Sequence, residues 1–316
     1  MKILFATDVH GSEKCFKKFL NLGKLTKSDF LILGGDITGK VIVPIVREAD
    51  GNFSCEYLGQ PRKVKPGKEI EELEKQIRFS GHYPYITDAT ELEELNASPE
   101  RRDELFKRLM IATLQNWIKL AEEKLKDTGI PCYMTGGNDD LFEVEQVLRS
   151  SKYVIDPEGE VINVGGYEMI SSGYSNITPW KTPRELPEDQ LLQLIEKMAT
   201  QVTNMNKTIF NLHVPPFDST LDLAPKLDTT VYPPRPHHVG TQPVMEPVGS
   251  KAVRAAIEKY SPLIGLHGHI HESKGMTKIG RTVCFNPGSE YGDGTIQYVL
   301  VILSEDRVDN FQFCSG

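Results

Sequence analysis

Six short polar motifs, spread from residue 8 to residue 289, each close a run of apolar residues. They are Asp8-Val9-His10, Gly34-Gly35-Asp36, Gly136-Gly137-Asn138-Asp139, Asn211-Leu212-His213, His267-Gly268-His269-Ile270-His271 and Asn286-Pro287-Gly288-Ser289. The runs before them, at 3–6, 30–33, 132–134, 208–212, 263–266 and 282–285, are short, rich in β-branched residues and apolar on both sides. That is the pattern of strands covered on two faces. Helical periodicity lies between several of them. Ser12 is placed to N-cap a helix carrying Phe16, Phe19 and Leu20. Ser98 with Pro99 opens a longer one running to about residue 126, with Phe106, Met110, Leu114, Trp117, Ala121 and Leu125 on one face. A further helix is expected over 188–205, with Leu191, Leu194, Ile195, Met198 and Val202 at core spacing. Alternating strands and helices predict an α/β protein. Runs 160–164 and 167–171, joined across Gly165-Gly166, suggest a second sheet. In open α/β sheets ligands bind beyond the carboxyl ends of the strands, so motifs remote in sequence can converge on one crevice.

The first five motifs supply seven hard or borderline metal donors, namely Asp8, His10, Asp36, Asn138, His213, His269 and His271, and no thiolate. That exceeds what one mononuclear site needs, whereas two cations sharing a carboxylate would use them all. Taken singly, each has an ordinary reading. Asp8 could cap the following helix, Asp36 and Asn138 could be turn residues beside glycine, and His213 could be a hydrogen-bonded core histidine. A His-Gly-His-Ile-His run rarely serves packing, so His269 and His271 are the least ambiguous. His267 suits a buried hydrogen bond or the orientation of a ligand from behind. His82, His237 and His238 have no motif around them and read as surface residues.

In this order, from Asp8 to His271, the motifs resemble those of the calcineurin-like metallophosphoesterases: Asp-x-His, Gly-Asp, Gly-Asn-His-Asp/Glu, His and Gly-His-x-His. The resemblance is to the bacterial and archaeal phosphodiesterase-type branch, where an Asn-Pro-Gly-Ser turn recurs. It implies a four-layer α/β/β/α sandwich of two mixed sheets with flanking helices. It also implies two divalent metal ions, with manganese first and iron, zinc or nickel fitting the same donors. On the family pattern Asp8, His10 and His271 hold one ion, Asn138, His213 and His269 the other, and Asp36 bridges both. A hydroxide between the metals would attack the phosphorus. Asp36, Asn138 and His269 then count as catalytic, and Asn138, His213 and His269 as substrate contacts.

One position departs from the family. Gly137-Asn138-Asp139-Asp140 stands where Gly-Asn-His-Asp/Glu is usual, so Asp139 replaces the histidine given the role of contacting phosphate and protonating the leaving group. An ionised carboxylate there would repel phosphate, unless burial keeps it protonated or it bonds to something else. General-acid catalysis is typically worth about 10²–10⁴-fold. Branches lacking this histidine are often phosphodiesterases, which tilts the expectation to a small phosphodiester. The alternatives are a phosphomonoesterase or protein phosphatase and, in another class, an inactive scaffold of the same fold.

The donors run through most of the chain, so a single metallophosphoesterase domain over 1–316 is expected, with an insertion at about 40–98 that begins as a hairpin just after Asp36. An edge decoration, a cap over the site and a dimer contact in a homo-oligomer all fit it. The proline-rich stretch 214–247 reads as an ordered loop leaving His213, suited to substrate recognition. A formal net charge of −8 argues against a general nucleic-acid binder and leaves a small phosphoester as the expected partner. Five scattered cysteines indicate neither a disulfide framework nor a structural zinc site. With no uncharged apolar run near eighteen residues and no signal-peptide pattern, no membrane association is expected and the expected location is the cytoplasm.

Overall fold

A computed structural model describes residues 1–231 and 233–316. Two six-stranded mixed sheets dominate it. The first runs in the order Arg307–Ser315, Gln297–Ser304, Lys2–Ala6, Phe30–Gly34, Cys132–Thr135, Val154–Ile155. Its last four strands are parallel and the first two antiparallel. The second runs Gly275–Ile279, Thr282–Asn286, Ile264–Leu266, Thr208–Leu212, Tyr167–Ser172, Val161–Val164, with a parallel centre and antiparallel edges.

Side-chain alternation along the strands sorts the cores. In the first sheet Leu4, Ala6, Leu31, Leu33, Cys132 and Met134 face a core shared with helices Glu13–Leu25, Pro99–Leu125 and Glu143–Arg149. Their neighbours Ile3, Phe5, Ile32 and Tyr133 face the other way and meet Met169, Ile209, Ile264, Leu266, Val283 and Phe285 of the second sheet. The far side of the second sheet, through Ile170, Phe210, Leu212 and Cys284, packs on Leu191, Ile195 and Met198 of helix Glu188–Ala199 and on Val253, Ala256 and Ile257 of helix Lys251–Tyr260. The packing order is therefore helices, sheet, sheet, helices. Ser12 and Ser98 act as N-caps, accepting from Cys15 N and Arg101 N, and Phe16 stacks on Trp117 with ring centroids 4.1 Å apart.

Helix Glu188–Ala199 is shorter than its apolar periodicity predicts, and Val202 lies outside it. The Glu168 carboxylate accepts from the backbone N–H groups of Thr203 and Asn204 at 2.9 Å, drawing the chain into a turn before Thr208. Local side-chain acceptors of this kind compete with helix continuation.

The stretch after Asp36 is more than a hairpin. Ile42–Arg47, Phe53–Tyr57, Gln60–Val64 and Tyr83–Thr87 form a four-stranded sheet, with helix Lys68–Phe79 supplying Ile70, Leu73 and Ile77 to a small separate core. This sheet and its helix abut loops of the first large sheet: the Tyr83 hydroxyl accepts from Gly39 N at 2.8 Å, and Ser12 Oγ donates to the Phe79 carbonyl at 2.5 Å. His82, expected at the surface, is half-buried there beside Ser80. Within 214–247 short strand pairs form, Leu223–Pro225 with Met245–Pro247 and His238–Val239 with Gln242–Pro243, leaving His237 and His238 exposed. The five cysteines are free, and no helix among the described residues is long and apolar enough to cross a membrane.

Candidate metal centre

Every donor follows the carboxyl end of a parallel strand. Asp8 and His10 come after Lys2–Ala6, Asp36 after Phe30–Gly34, Asn138 after Cys132–Thr135, His213 after Thr208–Leu212, and His269 and His271 after Ile264–Leu266. Strand pairing therefore delivers residues from both sheets to one end of the sandwich. Backbone hydrogen bonds continue beyond the strands: Asp8 N donates to Gly35 O, His10 N to Asp36 O, His213 N to Ser172 O and Gly268 N to His213 O, all at 2.8–3.0 Å. Asp8, His10, Asp36 and His269 hold positive φ angles of 52°, 39°, 46° and 66°. Such a backbone is costly for residues with a Cβ and persists where the surroundings impose it, commonly at functional sites.

The side chains converge in two halves. Ligand atoms of Asp8, His10 and His271 lie within 4.8 Å of one another, and so do those of Asp36, His213 and His269. His271 Nε2 is 3.5 Å from Asp8 Oδ1 and 3.1 Å from His10 Nε2. In the other half Asn138 Oδ1 lies 3.1 Å from His213 Nε2 and 2.7 Å from His269 Nδ1. Asp36 joins them, with Oδ2 3.6 Å from His10 Nε2 and Oδ1 3.5 Å from His213 Nε2. Asp8, His10, Asp36, Asn138 and His213 are buried, while His269 and His271 are half-buried at the open side.

The orienting groups lie behind these donors. Gly34 O accepts from His213 Nδ1 at 3.1 Å, leaving Nε2 free to face the pocket. Thr182 Oγ1 accepts from the Asn138 amide at 2.9 Å, which turns Oδ1 inward. Asp8 accepts from His269 N, and Ser289 Oγ donates to the Asp8 carbonyl at 2.6 Å. Asn286 donates to Ile270 O at 2.9 Å, so the Asn-Pro-Gly-Ser turn braces the loops that carry Asp8, His269 and His271 from behind. His267 donates from Nδ1 to Leu212 O at 2.7 Å and does not face the cluster's donors. A Cβ on Gly268 would stand 2.3 Å from Asp8 Oδ2, so only glycine lets the His269 loop approach that carboxylate.

Burial pushes the His10 imidazole down to about 3. Burial acts on His213 in the same sense, but the Asp36 and Asp8 carboxylates overcome it and raise that ring to about 9. Burial likewise raises the Asp36 carboxyl, yet His213 and His10 hold it well below the usual carboxylate range. Asp139 goes the other way, pushed up to about 6 by burial and by the nearby Asp36 charge.

The donor set fits divalent cations. Two neutral imidazole nitrogens that face each other at 3.1 Å repel unless a proton or a cation lies between them. The carbonyl oxygen of Asn138 and the oxygens of Asp8 and Asp36 complete sets of mixed imidazole and oxygen donors suited to first-row metals.

Two further groups, Arg184 and Asp140, tie the loops at the centre together. Arg184, a fully buried side chain, donates to Asp140 O and Leu141 O at 2.7 Å and pairs with Glu145, clamping the loop that bears Asn138. Asp140 accepts from Ile37 N, Thr38 N and Gly137 N at 2.7–2.9 Å, tying the Asp36 loop to the Asn138 loop. Asp140 stands at the Asp/Glu position of the Gly-Asn-His-Asp/Glu pattern, which gave it no stated role, and nothing in sequence marked Arg184.

No protein-family model matches the chain. An uncharacterized protein of Methanocaldococcus jannaschii, MJ1162, is 32% identical over 153 residues, which is 48% of this chain and 61% of that protein. The crystal structure of TT1561 from Thermus thermophilus aligns over 94% of this chain and 92% of its own, at 13% identity and TM-score 0.51. That likeness is one of fold. Alignment with a structure described as a novel archaeal phosphodiesterase is looser, with TM-score 0.42 at 11% identity and all of both chains covered.

Proposed function

We propose that this chain, whose ordered motifs and packing resemble those of the calcineurin-like metallophosphoesterases, is a dimetal hydrolase of small phosphodiesters. One observation carries the reading: the two oxygens of Asp36 point to different halves of the pocket, one toward His10 and one toward His213. A carboxylate so placed is what two neighbouring cations require. Asp8, His10 and His271 would hold one ion with Asp36, and Asn138, His213 and His269 the other. Manganese is the proposed occupant, since imidazole with oxygen donors suits it and iron, zinc or nickel as alternatives. When bound, the cations supply a nucleophile at neutral pH and neutralise charge on the phosphoryl oxygens.

The chain's own groups prepare for an anion. Asn138 contributes an uncharged oxygen, which limits negative charge where the phosphate must sit. The Gly34 carbonyl keeps the His213 proton on Nδ1, and the half-buried His269 and His271 leave the pocket open to solvent on one side. Asp139 adds a carboxylate at the position where the family has a proton donor. A diester carries one negative charge at neutral pH and a monoester close to two, so the added carboxylate disfavours the monoester more.

The test is a panel of aryl phosphodiesters and matching monoesters, given to manganese-loaded protein with Asp36→Asn as control. Turnover of at least one diester, faster than its monoester and abolished in the control, is expected. Equal turnover by Asp36→Asn would trace the activity to another site or a contaminant and remove the proposal.

A further inference from the structure

We propose that Lys40 is the cationic contact for the phosphoryl oxygens, tethered by Asp139 and positioned by the inserted sheet; this rests on the phosphoesterase reading. Lys40 lies four residues beyond Asp36, and its ammonium pairs with Asp139 Oδ2. Asp139 in turn donates its backbone N–H to Asp36 Oδ1 at 3.0 Å, and its carboxylate lies within 4.8 Å of the ligand atoms of His10 and Asp36. The ammonium therefore stands one contact from the centre of the pocket. Its side chain is 44% exposed while that of Asp139 is 20% exposed, so the pair sits at the mouth with the cation on the solvent side. Tyr291 lines the same side, its ring centroid 4.6 Å from that of His10. Among the described residues Lys40 is the one lysine or arginine paired with a carboxylate of this cluster.

The chemistry follows from charge and reach. A lone carboxylate beside Asn138 would repel an incoming phosphoester, and pairing with Lys40 offsets part of that repulsion, leaving a dianionic monoester more disfavoured than a diester. An ammonium carries three donors on a flexible stem, so one can stay on Asp139 while the others turn to phosphoryl oxygens. The family's histidine is thus replaced by two residues, one holding and one touching substrate. Backbone geometry fixes where the lysine starts. Gly39 N donates to the Tyr83 hydroxyl, and a Cβ on Gly39 would lie 2.1 Å from the Gly81 carbonyl, so the residue before Lys40 is pressed directly against the inserted sheet.

Three variants test this, Lys40→Met, Lys40→Arg and Asp139→Asn, each manganese-loaded. The measurements are calorimetric affinity for inorganic phosphate, kcat and KM on an aryl diester, and metal content. Lys40→Met should bind phosphate about tenfold or more weakly and lose about 10²-fold in kcat/KM, the scale of a charge-assisted hydrogen bond and of one charge-stabilising donor. Lys40→Arg should recover most of both. Asp139→Asn should bind phosphate at least as tightly as wild type, because the ammonium is released and a negative charge removed. Opposite signs for the two partners separate substrate contact from a structural ion pair, which would weaken both alike. Parallel weakening, or Lys40→Met within twofold of wild type, overturns the proposal. Loss of one metal equivalent in Asp139→Asn also overturns it, by making Asp139 a ligand. Wild-type protein that binds phosphate through Lys40 yet hydrolyses no phosphoester keeps this contact and removes the phosphoesterase reading instead.

Discussion

Asp36 places Oδ2 3.6 Å from His10 Nε2 and turns its other oxygen to His213, so one side chain couples the loops of two different sheets. Replacing it by asparagine keeps the shape and removes the charge that both halves share. Asp36→Asn is expected to lower metal content from two equivalents to one or fewer and turnover by about 10³-fold or more, the upper range for a central charge-stabilising group. Elemental analysis after loading and desalting reads the first, and steady-state kinetics the second. Two retained metals in this variant would remove Asp36 from the bridge.

His213 makes the metal-free protein sensitive to pH. Its ring rises from 6.5 to about 9 because the Asp36 and Asp8 carboxylates outweigh burial. A group raised on folding adds stability that is fully present below its unfolded value and is lost as pH climbs through the folded one. Chelator-treated protein should therefore lose melting temperature between about pH 6.5 and about pH 9. Metal-loaded protein should not, since the cation takes the proton's place and its binding strengthens over the same range. Thermal scans of both forms should diverge with rising pH. Parallel curves would mean that His213 does not exchange its proton for a metal.

Arg184 offers a test of the loop that carries Asn138. It is buried, it satisfies the Asp140 and Leu141 carbonyls, and it pairs with Glu145. Removing one member of a buried charged pair typically costs about 3–5 kcal/mol. Arg184→Ala should lose about that in chemical denaturation, and should hold the Asn138-side metal less tightly than the Asp8-side one. A loss under about 1 kcal/mol, within the range of an exposed ion pair, would show that the clamp is dispensable.

The convergence of the candidate donors was legible in sequence because each follows a strand by one to five residues, where strand pairing largely decides position. Ser12 and Ser98 were legible for a similar reason, since capping is local. Arg184 was not, because its partners are carbonyls and a glutamate some forty residues away in a stretch without periodicity. The inserted sheet was half legible. Phe53–Tyr57 has turn residues before it, but Gln60–Val64 is polar, exposed and carries Pro61, so nothing in its composition announces a strand. The helix after 188 was overrun because apolar spacing continues past Ala199, and the Glu168 carboxylate that stops it belongs to a distant strand.

Gly81 and Gly51 both sit in the insertion at positive φ, +87° and +80°, and a paired substitution isolates what the contact with the metal loop contributes. A Cβ on Gly81 would lie 2.1 Å from the His10 carbonyl oxygen, whereas one on Gly51 meets nothing within 4 Å. Alanine at either position suffers the same left-handed backbone penalty, of order 1–3 kcal/mol. Only at Gly81 must the loop bearing Asp8 and His10 also move. Gly51→Ala should therefore lose stability and keep its metal affinity. Gly81→Ala should lose more stability and weaken metal binding by about 10–100-fold, the scale seen when groups supporting a metal ligand are disturbed. Calorimetric manganese titration of both variants is the measurement. If the two titrate alike, the inserted sheet merely neighbours the metal loops and does not set the position of His10.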